Sequence, residues 1–181
     1  MQKKSIYKYA SETGLPAGLY LTAMSFCLLL SVKAPVMPIL LLPLMIGFPV
    51  ILWLLVRKIA REEPSYNKFS SLWLGGIYTV IFGSLISLFI SALYVVAFEP
   101  NFVNLYISNA LAAVESSPMS GEYSAQIELM REAMEAHILP SSLEFLTSMA
   151  WLTCFVGSLL SLIIAFVMSK TSSRVSRELS I

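Results

Sequence analysis

Aspartate is absent from this 181-residue chain, histidine occurs once and cysteine twice. Only 13% of the residues are charged, against about a quarter in a soluble domain. These shortages exclude several kinds of chemistry. A carboxylate dyad needs two acids held close in a buried site, and the glutamates here lie at solvated helical spacing. His137, with no second histidine or cysteine beside it, makes a poor zinc ligand; it reads as a helix-end residue favoured by the helix dipole. Cys27 and Cys154 fall in apolar segments at similar depth, where thiols act as small buried residues rather than a disulfide framework. Neither a glycine-rich phosphate loop nor a nucleophile elbow occurs. The expectation is a non-enzyme without catalytic residues, cofactor, metal or nucleic-acid surface.

Hydrophobic residues are abundant instead, at 57%. Four segments carry no charge: Thr13–Val32, Val36–Val56, Phe69–Phe98 and Phe145–Ser169. About 20 apolar residues cross the ~30 Å hydrocarbon core as a helix. The chain is therefore expected to be an all-α integral membrane protein and a single membrane domain, 1–181. Its spans fall at about 14–32, 37–56, 70–97 and 143–169, with an extracytoplasmic helical hairpin at about 100–140. The first span follows a basic start, "MQKKSIYK", as a signal peptide does. Its best cleavage point, after Ala34, would leave Pro35 next, which the peptidase tolerates poorly, so the span is read as retained.

Basic residues cluster at Lys3, Lys4 and Lys8, at Arg57, Lys58, Arg61 and Lys68, and at Lys170, Arg174 and Arg177. With four spans all three clusters face one side, and the positive-inside rule makes that side the cytoplasm. Both termini are then cytoplasmic. The segment Glu99–Glu144 faces outward with seven glutamates and Arg131 as its one basic residue. Trp53, Trp73 and Trp151 sit near span ends, where tryptophan favours the headgroup level. Lys33, in the short outer turn, dissents. Arg57, Lys58 and Arg61 are candidate lipid-headgroup contacts.

Small residues recur every fourth position in span three: Gly75, Thr79, Gly83, Ser87 and Ser91. Leucine burial does not draw helices together in lipid, whereas small residues allow close packing. Span one has Ala10, Gly14, Gly18 and Thr22; span four has Gly157, Ser161 and Ala165. These faces either pack the bundle or meet a second membrane protein or another copy of the chain. Span two differs, with Pro43, Gly47 and Pro49 predicting a kinked helix with freed carbonyls. Broken helices line transporter sites, but no span core holds an ionisable residue, which argues against a proton- or sodium-coupled pump.

Two helices are expected between spans three and four. One covers about Asn101–Glu115, with Val103, Ile107, Ala110, Leu111 and Val114 on one face. The other covers about Ser124–Ile138, with Ile127, Met130, Met134 and Ile138 on one face and Glu128, Glu132 and Glu135 opposite, a candidate partner surface. Arg131 is placed to pair with Glu128 or Glu135. "SSPMSGEYS" between them reads as a turn. Ser141 followed by Glu144 reads as a capping box opening span four.

The phrases "KKSIYKYASETGLPAGL", "YNKFSSLWLGGIYTVIFGSLISLFISALYVVAFEPNF", "MSGEYSAQIELMREAME" and "SLIIAFVMSK", in this order, resemble a bacterial family of small four-span membrane proteins known as domain of unknown function 4199. The likeness covers nearly the whole chain and rests on layout, not on a catalytic signature. The resemblance implies an inner-membrane protein and brings polyprenyl-linked glycosyl transfer machinery into view as a partner. It carries over no functional residue. Two functions remain as expectations. One is an accessory or subunit that binds another membrane protein. The other is a carrier or binder of a lipid or other amphiphile, motivated by the kinked span.

Overall fold

The computed structural model describes residues 6–34, 36–62, 68–116, 124–136 and 138–178, with side chains among these from residue 8 to residue 170. His137, Pro35, Lys3, Lys4 and the turn over 117–123 lie outside the described residues, as do the side chains of Arg174 and Arg177. Six helices follow in order: α1 (Ile6–Leu30), α2 (Met37–Glu62), α3 (Phe69–Phe98), α4 (Phe102–Glu115), α5 (Ser124–Glu135) and α6 (Ser142–Glu178). Among the described residues all regular structure is helical. Four helices are long and apolar enough to cross a membrane: α1, α2, α3 and α6. α4 and α5 lie between the last two of these.

Three spanning helices outrun the lengths that the charge-free segments predict. α1 starts well before residue 14 because Tyr9, Ala10 and Thr13 continue the buried face of Ala17 and Leu21. α2 continues beyond Val56 through the basic residues because Phe48, Leu52, Val56 and Ile59 form one buried row at helical spacing. α6 continues past Ser169 to Glu178. Charge marks where a helix leaves lipid, not where its hydrogen-bonded ladder ends.

α3 is the central element, packed along its length against α1 and α6, while α2 touches all three more sparsely. Two apolar clusters hold the bundle. One joins Leu21, Phe48, Leu52, Val56, Leu72, Val80, Ile164 and Ala165 across all four spans. The other, at the end that carries α4, joins Leu29, Val95, Phe102, Val103 and Leu146. At that end Ser141 and Glu144 form the expected capping box. The Ser141 N–H donates to Glu144 Oε2 at 2.8 Å and the Glu144 N–H to Ser141 Oγ at 3.3 Å. Ser142 ties α4 to α6, donating to the Pro100 carbonyl at 2.8 Å and accepting from the Val103 N–H at 3.4 Å.

α4 and α5 are joined by an ion pair from Arg131 to Glu115, at 2.6 Å. This partner stands on the other helix, where reading α5 alone does not look. The expected apolar seam forms only in part. Val103 is buried and Ile107 and Leu111 half-buried, but Ala110 and Val114 are exposed. On α5, Ile127 and Met134 are half-buried and Met130 is exposed; Ile138 lies beyond the helix end and is exposed too. α5 has no fully buried residue, so its packing is a surface contact rather than a core.

Candidate functional site

The small-residue stripe of α3 lies inside the bundle. Gly75, Thr79, Gly83, Ser87 and Ser91 are all buried. Gly83 is the point of closest backbone approach: a Cβ there would sit 3.0 Å from Ala17 Cβ and 3.1 Å from the Gly18 nitrogen. Thr13 and Thr79 hydroxyls bond to each other at 2.7 Å. On the other flank, Gly157, Ser161 and Ala165 are buried on α6. Gly157 faces Val80 and Ser161 faces Gly76 closely enough that a methyl on either glycine would clash. All eight residues are covered within one chain, so the stripes offer no bare face to a second protein.

Above this tight seam the helices part. A cavity of about 490 Å³ opens in the half of the bundle nearer α4 and α5, lined by all four spanning helices. That volume falls within the ~300–1,000 Å³ of small-molecule sites. Leu21 and Phe48 of the first apolar cluster bound it at one end, and Leu28, Leu88 and Leu146 of the second at the other. The exposed residues of its wall stand on two helices only: Met45 on α2, and Met149, Leu152 and Val156 on α6. The mouth therefore opens sideways between α2 and α6. Among the described residues, none that lines it is ionisable.

Hydroxyl-bearing residues line the back of the cavity: Ser84, Ser87 and Ser91 on α3 and Ser25 on α1, with Thr153 on α6. Spacings of three and four residues place the α3 serines on one face. Ser25 and Ser87 bond to each other at 3.1 Å. Thr153 bonds the Met149 carbonyl one turn back, at 2.8 Å. Ser84 and Ser91, 3% and 1% exposed, bond no protein group. A buried hydroxyl without a partner costs about 1–3 kcal/mol. Elsewhere in the same helices Thr79 and Ser161 escape that cost by bonding the carbonyls of Gly75 and Gly157. Sequence reasoning takes Ser87 and Ser91 as packing residues and misses Ser84 and Ser25, which stand outside the four-residue step. The signal for Ser84 is its place three residues before Ser87.

The span read as kinked forms one helix, α2, with Pro43 and Pro49 inside it, and its three marked residues differ in setting. Pro49 lines the cavity, Pro43 is exposed and Gly47 is half-buried. Gly47 makes room for Tyr20, whose hydroxyl would collide with a Cβ there and donates to the Leu44 carbonyl at 2.7 Å. Tyr20, unmarked in the sequence reading, thus ties α1 to the proline-containing part of α2.

The charged candidates lie apart from the cavity. Arg57, Lys58 and Arg61 are exposed on the last turns of α2, with Lys58 3.8 Å from Glu62. Glu128, Glu132 and Glu135 are exposed on α5. A cleft between α4 and α5, lined by Ser108, Leu111, Glu115, Arg131 and Met134 among others, is a shallow surface feature bridged by the ion pair. Lys33 pairs with Glu99 at the end of α3, so the cation that dissents from the charge pattern, in the turn between α1 and α2, sits with an anion. That hydrogen bond pushes the Lys33 pKa up from its ordinary value, against a smaller opposing effect of desolvation. Cys27 and Cys154 are free, half-buried thiols. Among the described residues no group of three or more His, Cys, Asp or Glu is placed to hold a metal ion.

No curated protein and no solved structure matches the chain significantly. One family profile does, over residues 12–170, which takes in all four spanning helices, the serine-lined cavity and the α4–α5 segment. The chain belongs to the family described as protein of unknown function DUF4199.

Proposed function

We propose that this chain binds a lipid or similar amphiphile within its four-span bundle, and that it is not an enzyme. The observation that carries this reading is the cavity with its sideways mouth between α2 and α6. In a bilayer such a mouth faces hydrocarbon, so a lipid enters without crossing water. The lining is apolar apart from a few hydroxyls, as pockets for apolar ligands are. The distribution of basic residues supports both termini in the cytoplasm, and the resemblance drawn from the sequence supports a bacterial inner-membrane setting. α4 and α5 would then form an outer hairpin, and the cavity would lie in the outer half of the membrane.

The test is purification in mild detergent followed by mass spectrometry of what accompanies the protein. One lipid species at about one equivalent is expected. Ala150→Trp, which places an indole in the cavity, should remove it and leave the protein folded. A stoichiometric second protein with no lipid would overturn the proposal.

A second reading, an accessory that binds another membrane protein, draws support from α5. Its Leu129 and Met130 stay exposed beside Glu128 and Glu132. The buried stripes lend it nothing, which is why the amphiphile reading comes first.

A further inference from the structure

We infer that the cavity selects an amphiphile with an uncharged polar end, of glyceride type, and holds its hydroxyl and ester oxygens against the serine row of α3. The inference rests on the amphiphile reading above and adds the chemistry of the ligand. Three observations lead to it.

First, none of the described residues of the lining is ionisable. A phosphate, carboxylate or ammonium taken inside would lose its water and gain no counter-charge, which is strongly unfavourable. Second, the lining is not uniformly apolar. Ser84 and Ser91 are buried at its back wall with hydroxyls that bond no protein group, whereas Ser25, Ser87 and Thr153 already have partners. A serine turns between staggered χ1 settings and both donates and accepts, so these two can meet a neutral oxygen on a ligand. Third, Ser84 and Ser91 are seven residues apart, roughly 10 Å along the helix. A single alcohol oxygen reaches one of them. A glycerol ester, whose hydroxyls and carbonyl are spread over several bonds, reaches toward both. The hydrocarbon chain then leaves between Met45 on one side and Leu152 and Val156 on the other.

Three probes separate these demands: monopalmitin, the corresponding lysophosphatidate and hexadecane. The second adds a phosphate to the first, and the third lacks every oxygen. Binding to the delipidated full chain in detergent is read by native mass spectrometry. We expect monopalmitin to bind with one equivalent and about tenfold more tightly than either other probe. The double variant Ser84→Ala, Ser91→Ala should bring monopalmitin down to the hexadecane level and leave hexadecane unchanged, which also reports an intact cavity. If the double variant loses hexadecane too, the single variants repeat the comparison, and each should lose part of the preference. Equal binding of monopalmitin and hexadecane by the unaltered protein would sink the selectivity while leaving the amphiphile reading in place. So would tighter binding of the lysophosphatidate. Failure of all three probes to bind would remove both.

Discussion

At the residue scale, contact distance decides more than hydrophobicity. Gly83 lies against the backbone of α1 at Ala17 and Gly18, and a backbone cannot turn aside as a side chain can. Gly83→Val should therefore destabilise the protein by about 1–3 kcal/mol, the usual range for overpacking, read as a lowered unfolding midpoint in detergent. Unchanged stability would mean that α1 and α3 are not in such close contact. Lys33 and Glu99 make a contrasting pair at the surface. The raised Lys33 pKa means that its stabilisation is complete below the ordinary value of 10.5 and is lost as pH rises through the higher folded value. Stability measured from pH 6 to 9 should be the same for Lys33→Met and the unaltered chain apart from a constant offset, which shrinks only above about pH 10.5. A change of slope near neutrality would contradict the assignment.

At the element scale, the helices differ in how much of themselves the sequence discloses. α6 announces its start: Ser141 and Glu144 are spaced for a capping box, and the reciprocal bonds form. Ser141→Ala should cost about 0.5–2 kcal/mol and speed amide exchange in the first turn of α6 while leaving α1 and α3 protected. The prolines inside α2 are equally legible as gaps in its ladder, because proline lacks the N–H, and the helix runs through them from Met37 to Glu62. What holds this stretch is not legible. Tyr20 reaches the Leu44 carbonyl from another helix, through space that Gly47 leaves open, and no pattern within α2 points to residue 20. α1 and α2 run beyond the charge-free segments for a related reason. Packing rows such as Phe48, Leu52, Val56 and Ile59 continue past the first charges.

At the scale of the whole molecule, topology and cavity must agree. On a background lacking Cys27 and Cys154, Ser124→Cys should react with a membrane-impermeant maleimide on intact cells. Lys58→Cys should react only after permeabilisation. The reverse pattern would put the cavity in the inner half of the membrane. The two functional readings also part at this scale. Replacing Glu128, Glu132 and Glu135 by serine should leave lipid retention within about twofold, because these exposed carboxylates lie outside the cavity lining, and a surface change of this kind moves energies by about 0.5 kcal/mol. Loss of a co-purifying protein in that variant would favour the accessory reading.

Four apolar runs and a helical α4–α5 segment follow from composition, charge and periodicity alone, because each is a local property of consecutive residues. The small-residue stripe is also visible there, and its burial follows once α1 and α6 are seen to supply matching small faces. The cavity is different in kind. It exists because α1, α3 and α6 close tightly around Gly83, Gly76 and Gly157, while α2 packs more sparsely against the others. Only that tertiary arrangement leaves Ser84 and Ser91 without a bonding partner at the wall of a space open toward α2 and α6. A serine's sequence neighbours tell whether a helical carbonyl lies within its reach; they do not tell whether three other helices leave room in front of it.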